Sequence, residues 1–299
     1  MAKRPSQPSW RRRDRLWGYF FVAPQTVGMA VFVLLPFCVG LVLSFTNWDG
    51  LGPVHWIGLA NFTTELRDPL FFKAIENTLL IALITVPVGL TLAVIAATAL
   101  EHVRGRSVYL TFLFLPVVTS SIAVSLIWEQ LLQQQGPIST VIAKVFRISP
   151  PDWLNNPDLI LIAVCAVIIW SSLGLNVVIF LAGLKTIPPN VIEAARVDGA
   201  GPVRVFWRIK LPLLSPVMFF STVVAVISSF QTFDIVYVLT ANGGPDNGAR
   251  TMVYHIYDLG FLENEFGLSS AAAVILFVMT LLVTGVQFAL QGRFVHYER

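Results

Sequence analysis

The decapeptide Ser228-Ser-Phe-Gln-Thr-Phe-Asp-Ile-Val-Tyr237 sets aromatic rings beside a carboxylate within an otherwise apolar stretch. On an unbroken helix, steps of about 100° per residue place Phe230, Phe233, Asp234 and Tyr237 on one face. Ser228, Gln231 and Thr232 then fall on roughly the opposite face. Rings next to an acid suit a sugar, because the apolar CH face of a pyranose lies on a ring while its hydroxyls donate to the carboxylate. A second arrangement satisfies the same residues: the rings pack against neighbouring helices, and Asp234 is tied to a backbone N–H or to a partner subunit. Polar groups at membrane depth are costly and face a cavity or another helix. Asn176 has the same two options, cavity lining or a hydrogen bond between helices. Ser171, Ser172 and Gly174 beside it suit close helix packing. Thr119, Ser120, Ser121 and Ser125 follow Pro116, which lacks a backbone donor and predicts a kink.

The elements that position these residues follow from composition. The chain of 299 residues is 56% hydrophobic and 12% charged. A soluble domain carries about 25% charged residues, so a water-facing surface is excluded. Six apolar runs are long enough to span a bilayer, at about 17–45, 75–100, 108–132, 159–184, 213–240 and 269–291. This predicts an all-α integral membrane protein. A polar tail occupies 1–16, a membrane domain 17–292 (core about 70–291) and a short tail 293–299.

Fifteen of the 20 Lys and Arg fall on one side of these spans. They are Lys3, Arg4, Arg11, Arg12, Arg13 and Arg15; Arg104 and Arg106; Lys185, Arg196, Arg204, Arg208 and Lys210; and Arg293 and Arg299. Arg67, Lys73, Lys144, Arg147 and Arg250 fall on the other. Positive charge stays inside, so both termini are expected in the cytoplasm. The apolar stretch after the basic N-terminus is too long for a secretory signal core, which predicts a retained anchor. Arg11 to Arg15 would meet anionic lipid headgroups. The pI near 9.0 reflects this bias and does not point to nucleic acid. Cys38 and Cys165 both fall in spans, and the four His show no paired spacing, so no disulfide framework or metal site is indicated.

One cytoplasmic loop, 185–212, is unlike the others. Asn190 to Val197 is helix-forming, Gly199 breaks it, and a second amphipathic turn runs from about Pro202 to Ile209 before Pro212. Its pattern is Glu193-Ala194-Ala195, three residues including Asp198, Gly199, nine residues, then Ile209-x-Leu211-Pro212. That spacing resembles the EAA loop of binding-protein-dependent ABC importer permeases, in their carbohydrate-uptake branch. Ile57-Gly-Leu-Ala-Asn-Phe62, Asp68-Pro-Leu-Phe-Phe72 and Asn77-Thr78 resemble the same branch. The likeness extends over about 19–291.

The resemblance implies a type I importer permease fold in a bacterial inner membrane. It implies three protein partners: a second homologous permease, an ABC ATPase dimer and an extracytoplasmic solute-binding protein, with membrane lipid around them. Glu193, Ala194, Ala195, Asp198, Gly199, Ile209, Leu211 and Pro212 would couple to the ATPase. The substrate pathway would use Asn176, Phe230, Phe233, Asp234 and Tyr237. No Gly-x-x-x-x-Gly-Lys-Ser/Thr loop is present, so this chain is expected to carry no cofactor and to be no enzyme, with ATP and Mg bound by the partner ATPase. The solute is expected to be a sugar or related polyol. Glycerol-3-phosphate or a glycerophosphodiester is the alternative, disfavoured because no Lys or Arg lies in the spans. An ion-coupled secondary transporter would need matched halves and more midplane ionisable groups than Asp234. A membrane enzyme would need a nucleophile–base set, and none is visible.

Overall fold

A computed structural model describes residues 9–147, 149–241 and 243–294, with side chains from 17 to 292 within those ranges. The basic run 11–15 and the tail 295–299 thus lie wholly or in their side chains outside the described residues, as does Asn242 of Asn242-Gly-Gly-Pro245, a sequence that signals a turn. Gly243 and Gly244 of that turn both take φ near +80° (82° and 80°).

The described residues form helices in this order: α1 Ser9–Met29, a π-helical turn Ala30–Leu34, α2 Leu35–Leu43, α3 Ala60–Glu65, α4 Pro69–Leu100, α5 Arg106–Val118, α6 Ser121–Leu132, α7 Pro137–Phe146 and α8 Pro157–Lys185. There follow α9 Pro189–Val197, α10 Pro202–Val205, a π-helical turn Phe206–Lys210, α11 Leu211–Leu213, α12 Ser215–Phe230, α13 Asp234–Thr240, α14 Met252–Tyr257, a π-helical turn Asp258–Leu262 and α15 Phe266–Phe294. Four stretches are unbroken and apolar enough to cross a membrane: Trp17–Leu43, Pro69–Leu100, Pro157–Lys185 and Phe266–Gly292. Two bent pairs, Arg106–Val118 with Ser121–Phe146 and Pro202–Leu213 with Ser215–Phe230, bring the number to six.

The helices start where capping chemistry allows. Asp68 accepts from Leu70 N ahead of α4, and Asn156 accepts from Asp158 N ahead of α8, each followed by Pro in the first turn. Thr251 accepts from Tyr254 N ahead of α14. The helix of the first span begins at Ser9, inside the expected polar tail.

Two expected spans differ from their continuous form. The 108–132 run breaks at Thr119–Ser120, where ψ opens to 143° and 134°, and the chain turns by 102°. Pro116 sits in the last turn of α5 rather than at this break. Thr119 Oγ1 bonds back to Leu115 O, and Ser120 O receives Val124 N to start α6. The Thr119 hydroxyl thus bonds back onto α5, and it is the Ser120 backbone carbonyl, with no side-chain cap, that opens α6. The 213–240 run breaks at Gln231–Phe233, with Phe233 at φ −131° and ψ −61°.

α4 and α8 form the central pair. Phe71, Ala74, Val86, Leu90, Ala93, Val177 and Phe180 pack there with Phe230 and Met252 in one apolar core. A second core joins Ile81, Val124, Leu161 and Val164 to Val236 and Tyr254. Gly174 sets the approach of α5 to α8. A Cβ there would lie 2.0 Å from Leu113 O and 2.9 Å from Phe114 Cα. Those are backbone atoms, so no rotamer change relieves the clash. Gly174→Ala should force α5 off α8 and cost about 1–3 kcal/mol, the usual penalty of overpacking a tight interface. Thermal midpoints of the purified protein in detergent test this. Gly28, with open space where its Cβ would go, is the control, and its Ala variant should be unchanged.

Candidate functional site

The two helix breaks face one another across a cavity of about 450 Å³, within the range of small-molecule sites. α4 contributes Thr85 and Gly89, and the α5–α6 break contributes Pro116, Thr119 and Ser121. α8 contributes Ser171, Ser172 and Asn176, and the α12–α13 break contributes Ser228, Ser229, Gln231, Thr232, Phe233 and Asp234. Apolar side chains, among them Val86, Leu90, Val124, Ile168, Leu175 and Val224, make up about half of the lining; its polar groups are hydroxyls, amides and one carboxylate, with no Lys or Arg among its described residues.

This arrangement corrects the one-face reading of 228–237. The break ends the steady angular step, so Phe230 and Asp234 no longer share a side. Phe230 is 1% exposed and belongs to the apolar core. Ser228, Gln231 and Thr232, expected opposite, line the cavity with Phe233 and Asp234. Tyr237 is 42% exposed and lies beyond the cavity wall. It stacks on Phe233 with ring centroids 5.3 Å apart, and Tyr257 packs against both rings. Asp234 is exposed at the first turn of α13, where a carboxylate complements the helix N-terminus. Asn176 lines the cavity, and its Nδ2 donates to Ser172 O of its own helix at 3.1 Å.

The 185–212 loop carries the second set of residues. α9 ends in a Schellman motif: Ala200 N donates to Ala195 O at 2.9 Å and Gly199 N to Arg196 O at 3.0 Å, with Gly199 at φ +80°. Glycine takes this conformation without strain. Glu193, Ala194, Asp198 and Gly199 are exposed, and Ala195 is half-buried. Ile192 packs inward against the core. Beyond the turn, Val205 and Lys210 are buried, Ile209, Leu211 and Pro212 are half-buried, and Val203 and Trp207 are exposed. The loop is anchored by one side and presents the other.

Two groups of charges escaped the sequence reading. At the end opposite this loop, Glu65 of α3 and His255 of α14 are each 1% exposed, with His255 Nε2 3.0 Å from Glu65 Oε2. Arg250 Nη2 lies 2.9 Å from His255 Nδ1 and 2.6 Å from Asp258 Oδ2. A guanidinium only donates, so Nδ1 accepts and the His255 proton sits on Nε2, donated to Glu65. The Arg250 guanidinium also lies over the Tyr254 ring, 5.6 Å from its centroid. Backbone contacts extend this clamp: Asn77 Nδ2 donates to Asn247 O and Arg250 O, Met252 N donates to Thr78 Oγ1, and Thr251 Oγ1 donates to Thr232 O beside the cavity. In the loop between α2 and α3, N–H bonds from Gly52 and then Leu51 hold the Asp49 carboxyl below its ordinary pKa. At the loop end, Lys210 pairs with Glu101, next to the last turn of α4.

With this geometry in view, comparison with known proteins is decisive. The family described as "Binding-protein-dependent transport system inner membrane component" matches residues 89–296. The chain belongs to that family. The matched region includes both helix breaks, the cavity's α8 wall and the whole 185–212 loop. The probable ABC transporter permease protein YesP of Bacillus subtilis (strain 168) is 34% identical over 291 residues, covering 96% of this chain and 94% of that protein. The sn-glycerol-3-phosphate transport system permease protein UgpA of Agrobacterium fabrum is 32% identical over 288 residues, covering 95% and 97%. A chain of a bacterial ABC transporter importing the acidic polysaccharide alginate superposes with a TM-score of 0.85 at 22% identity, covering 96% and 99%. The protein is therefore a multi-pass permease of the bacterial ABC importer class, in which ATP hydrolysis belongs to a separate subunit. The long apolar helices and the residue spacing in the 185–212 loop both agree with this assignment.

Proposed function

We propose that this permease forms half of a translocation pathway for a neutral sugar or related polyol, delivered by an extracytoplasmic binding protein. A second, homologous permease supplies the other half. An ABC ATPase dimer, holding ATP and Mg, docks on the exposed side of α9, with both termini of this chain in the cytoplasm of an inner membrane. Glu193 is the charged contact in that docking, and Ala194 and Ala195 are small enough to seat the helix. Gly199 sets the angle between α9 and α10, and Ile209, Leu211 and Pro212 hold the second half of the loop against the core.

The observation that carries the substrate reading is the cavity wall. It offers hydroxyls, amides and Asp234, and no cation to hold a phosphate or a uronate. A buried anion without a basic partner is strongly disfavoured. Asp234 and the wall around it accept and donate hydrogen bonds to hydroxyls, and Phe233 offers a ring to the sugar's CH face.

Replacing Asp234 by Asn tests this. The side chain keeps its size but loses charge-assisted acceptance, worth about 1–2 kcal/mol, so uptake should fall about tenfold. Gln231→Ala should also reduce uptake, because Gln231 shares the same wall. Assembly with the ATPase should stay normal in both. Uptake is measured in cells with a panel of labelled oligosaccharides, disaccharides and glycerol-3-phosphate. Uptake of glycerol-3-phosphate alone, unaffected by Asp234→Asn, would overturn the neutral-solute reading.

A further inference from the structure

Lys210 is only 8% exposed, and its Nζ pairs with Glu101 Oε2 across 109 residues of sequence. Glu101 caps the C-terminal end of α4, and Lys210 is the last residue of the π-helical turn Phe206–Lys210. His102 Nε2, largely exposed, lies 3.8 Å from the same carboxylate. The pair is remote from the cavity wall and takes no part in the exposed docking side. It sits between the docking-motif positions Ile209 and Leu211 without being one of them.

Its setting gives it a distinct use. α8 and α12 flank the docking loop and are joined to it covalently. α4 lines the same cavity, through Thr85 and Gly89, but has no covalent tie to the loop. For stability alone, apolar side chains of similar volume hold two elements as well as a buried ion pair does. The ion pair adds a directional link that resists separation and neutralises a carboxylate at the negative end of the α4 dipole. The π turn that ends on Lys210 is itself a local rewinding of the kind found at functional positions.

We propose that the Glu101–Lys210 pair couples α4 to the docking loop, so that the cavity wall on α4 follows when the ATPase displaces α9 to α11. This rests on the ATPase-docking role proposed above. Both residues are positioning residues: they act on the pathway through α4.

The test uses the assembled transporter, purified through a tag on this chain with its ATPase and partner permease. Cys38 and Cys165 are replaced by Ser, and Thr85 by Cys on the cavity wall. The readout is the labelling rate of that cysteine by a membrane-impermeant maleimide added from outside to proteoliposomes, with and without ATP, Mg and vanadate. With Lys210 and Glu101 intact, trapping should change the rate. Lys210→Met and Glu101→Gln should each shrink that response about tenfold, the scale of a typical coupling free energy, with ATPase co-purification unchanged. The exchanged pair Glu101→Lys with Lys210→Glu should restore it. A response that survives in Lys210→Met or Glu101→Gln overturns the proposal. If Lys210→Met does not assemble, the exchanged pair decides: an assembled exchange without a response overturns the proposal as well. If the parent protein brings no ATPase, or shows no response to trapping, the docking reading itself fails.

Discussion

Replacing Glu193 by Lys should abolish ATPase docking while leaving the permease inserted. Glu193 is exposed on α9 and makes no ion pair among the described residues, so its loss costs the fold almost nothing. A docking contact made by the Glu193 carboxylate calls for a basic partner, and placing a like charge against that partner costs several kcal/mol, hence more than about a hundredfold in affinity. The tagged variant should appear in membranes at the parent level, bring down little ATPase and show no uptake. Normal ATPase recovery with normal uptake would remove Glu193 from the coupling contact.

The largest stability effect should come from Arg250→Met. Arg250 is 5% exposed and serves His255 and Asp258 together. Its removal leaves the mostly buried Asp258 carboxylate and the His255 Nδ1 lone pair without their donor. Breaking a buried pair on one side costs about 3–5 kcal/mol. At a few degrees per kcal/mol, the thermal midpoint in detergent should drop by about 10 °C. Lys73, paired with Glu76 where both are well exposed, gives the contrast. Its Met variant should shift the midpoint little, because exposed pairs contribute about 0–1 kcal/mol. Equal shifts in the two variants would show that the Arg250 cluster is not a structural clamp.

The spans were legible in the sequence because their signal is additive. Twenty apolar residues need only length and composition, and no partner has to be known. The α9 turn was legible for a different reason: Gly199 takes a positive φ that its neighbours would resist, so a local residue type reports a local conformation. The two breaks had no such marker. Pro24, Pro87 and Pro116 all lie inside helices, whereas the chain opens at Thr119–Ser120 and at Gln231–Phe233, where no Gly or Pro stands. Serine and threonine at those points are tolerated in a helix and equally in a cap, and the surrounding packing decides. The misplaced Phe230 followed directly, since angular bookkeeping fails once a helix stops. The clamp at Arg250 was illegible because Glu65 and His255 are 190 residues apart in sequence and meet only after α3, α4 and α14 have packed.

The contacts of α2 carry a consequence for biosynthesis. None of the first span's best apolar window is buried in the folded chain. What contact α2 makes is with α15: Phe37 packs on Phe277 with centroids 5.1 Å apart, and just beyond it Gly267 N donates to Trp48 O. A Cβ on Gly267 would lie 2.0 Å from Thr46 O, so the segment after α2 and the first turn of α15 meet backbone to backbone. The packing of α2 on α15 therefore forms only after α15 has been made. Removing α15 would leave α2 without its aromatic partner and the Trp17–Leu43 span held in the membrane by its own hydropathy alone.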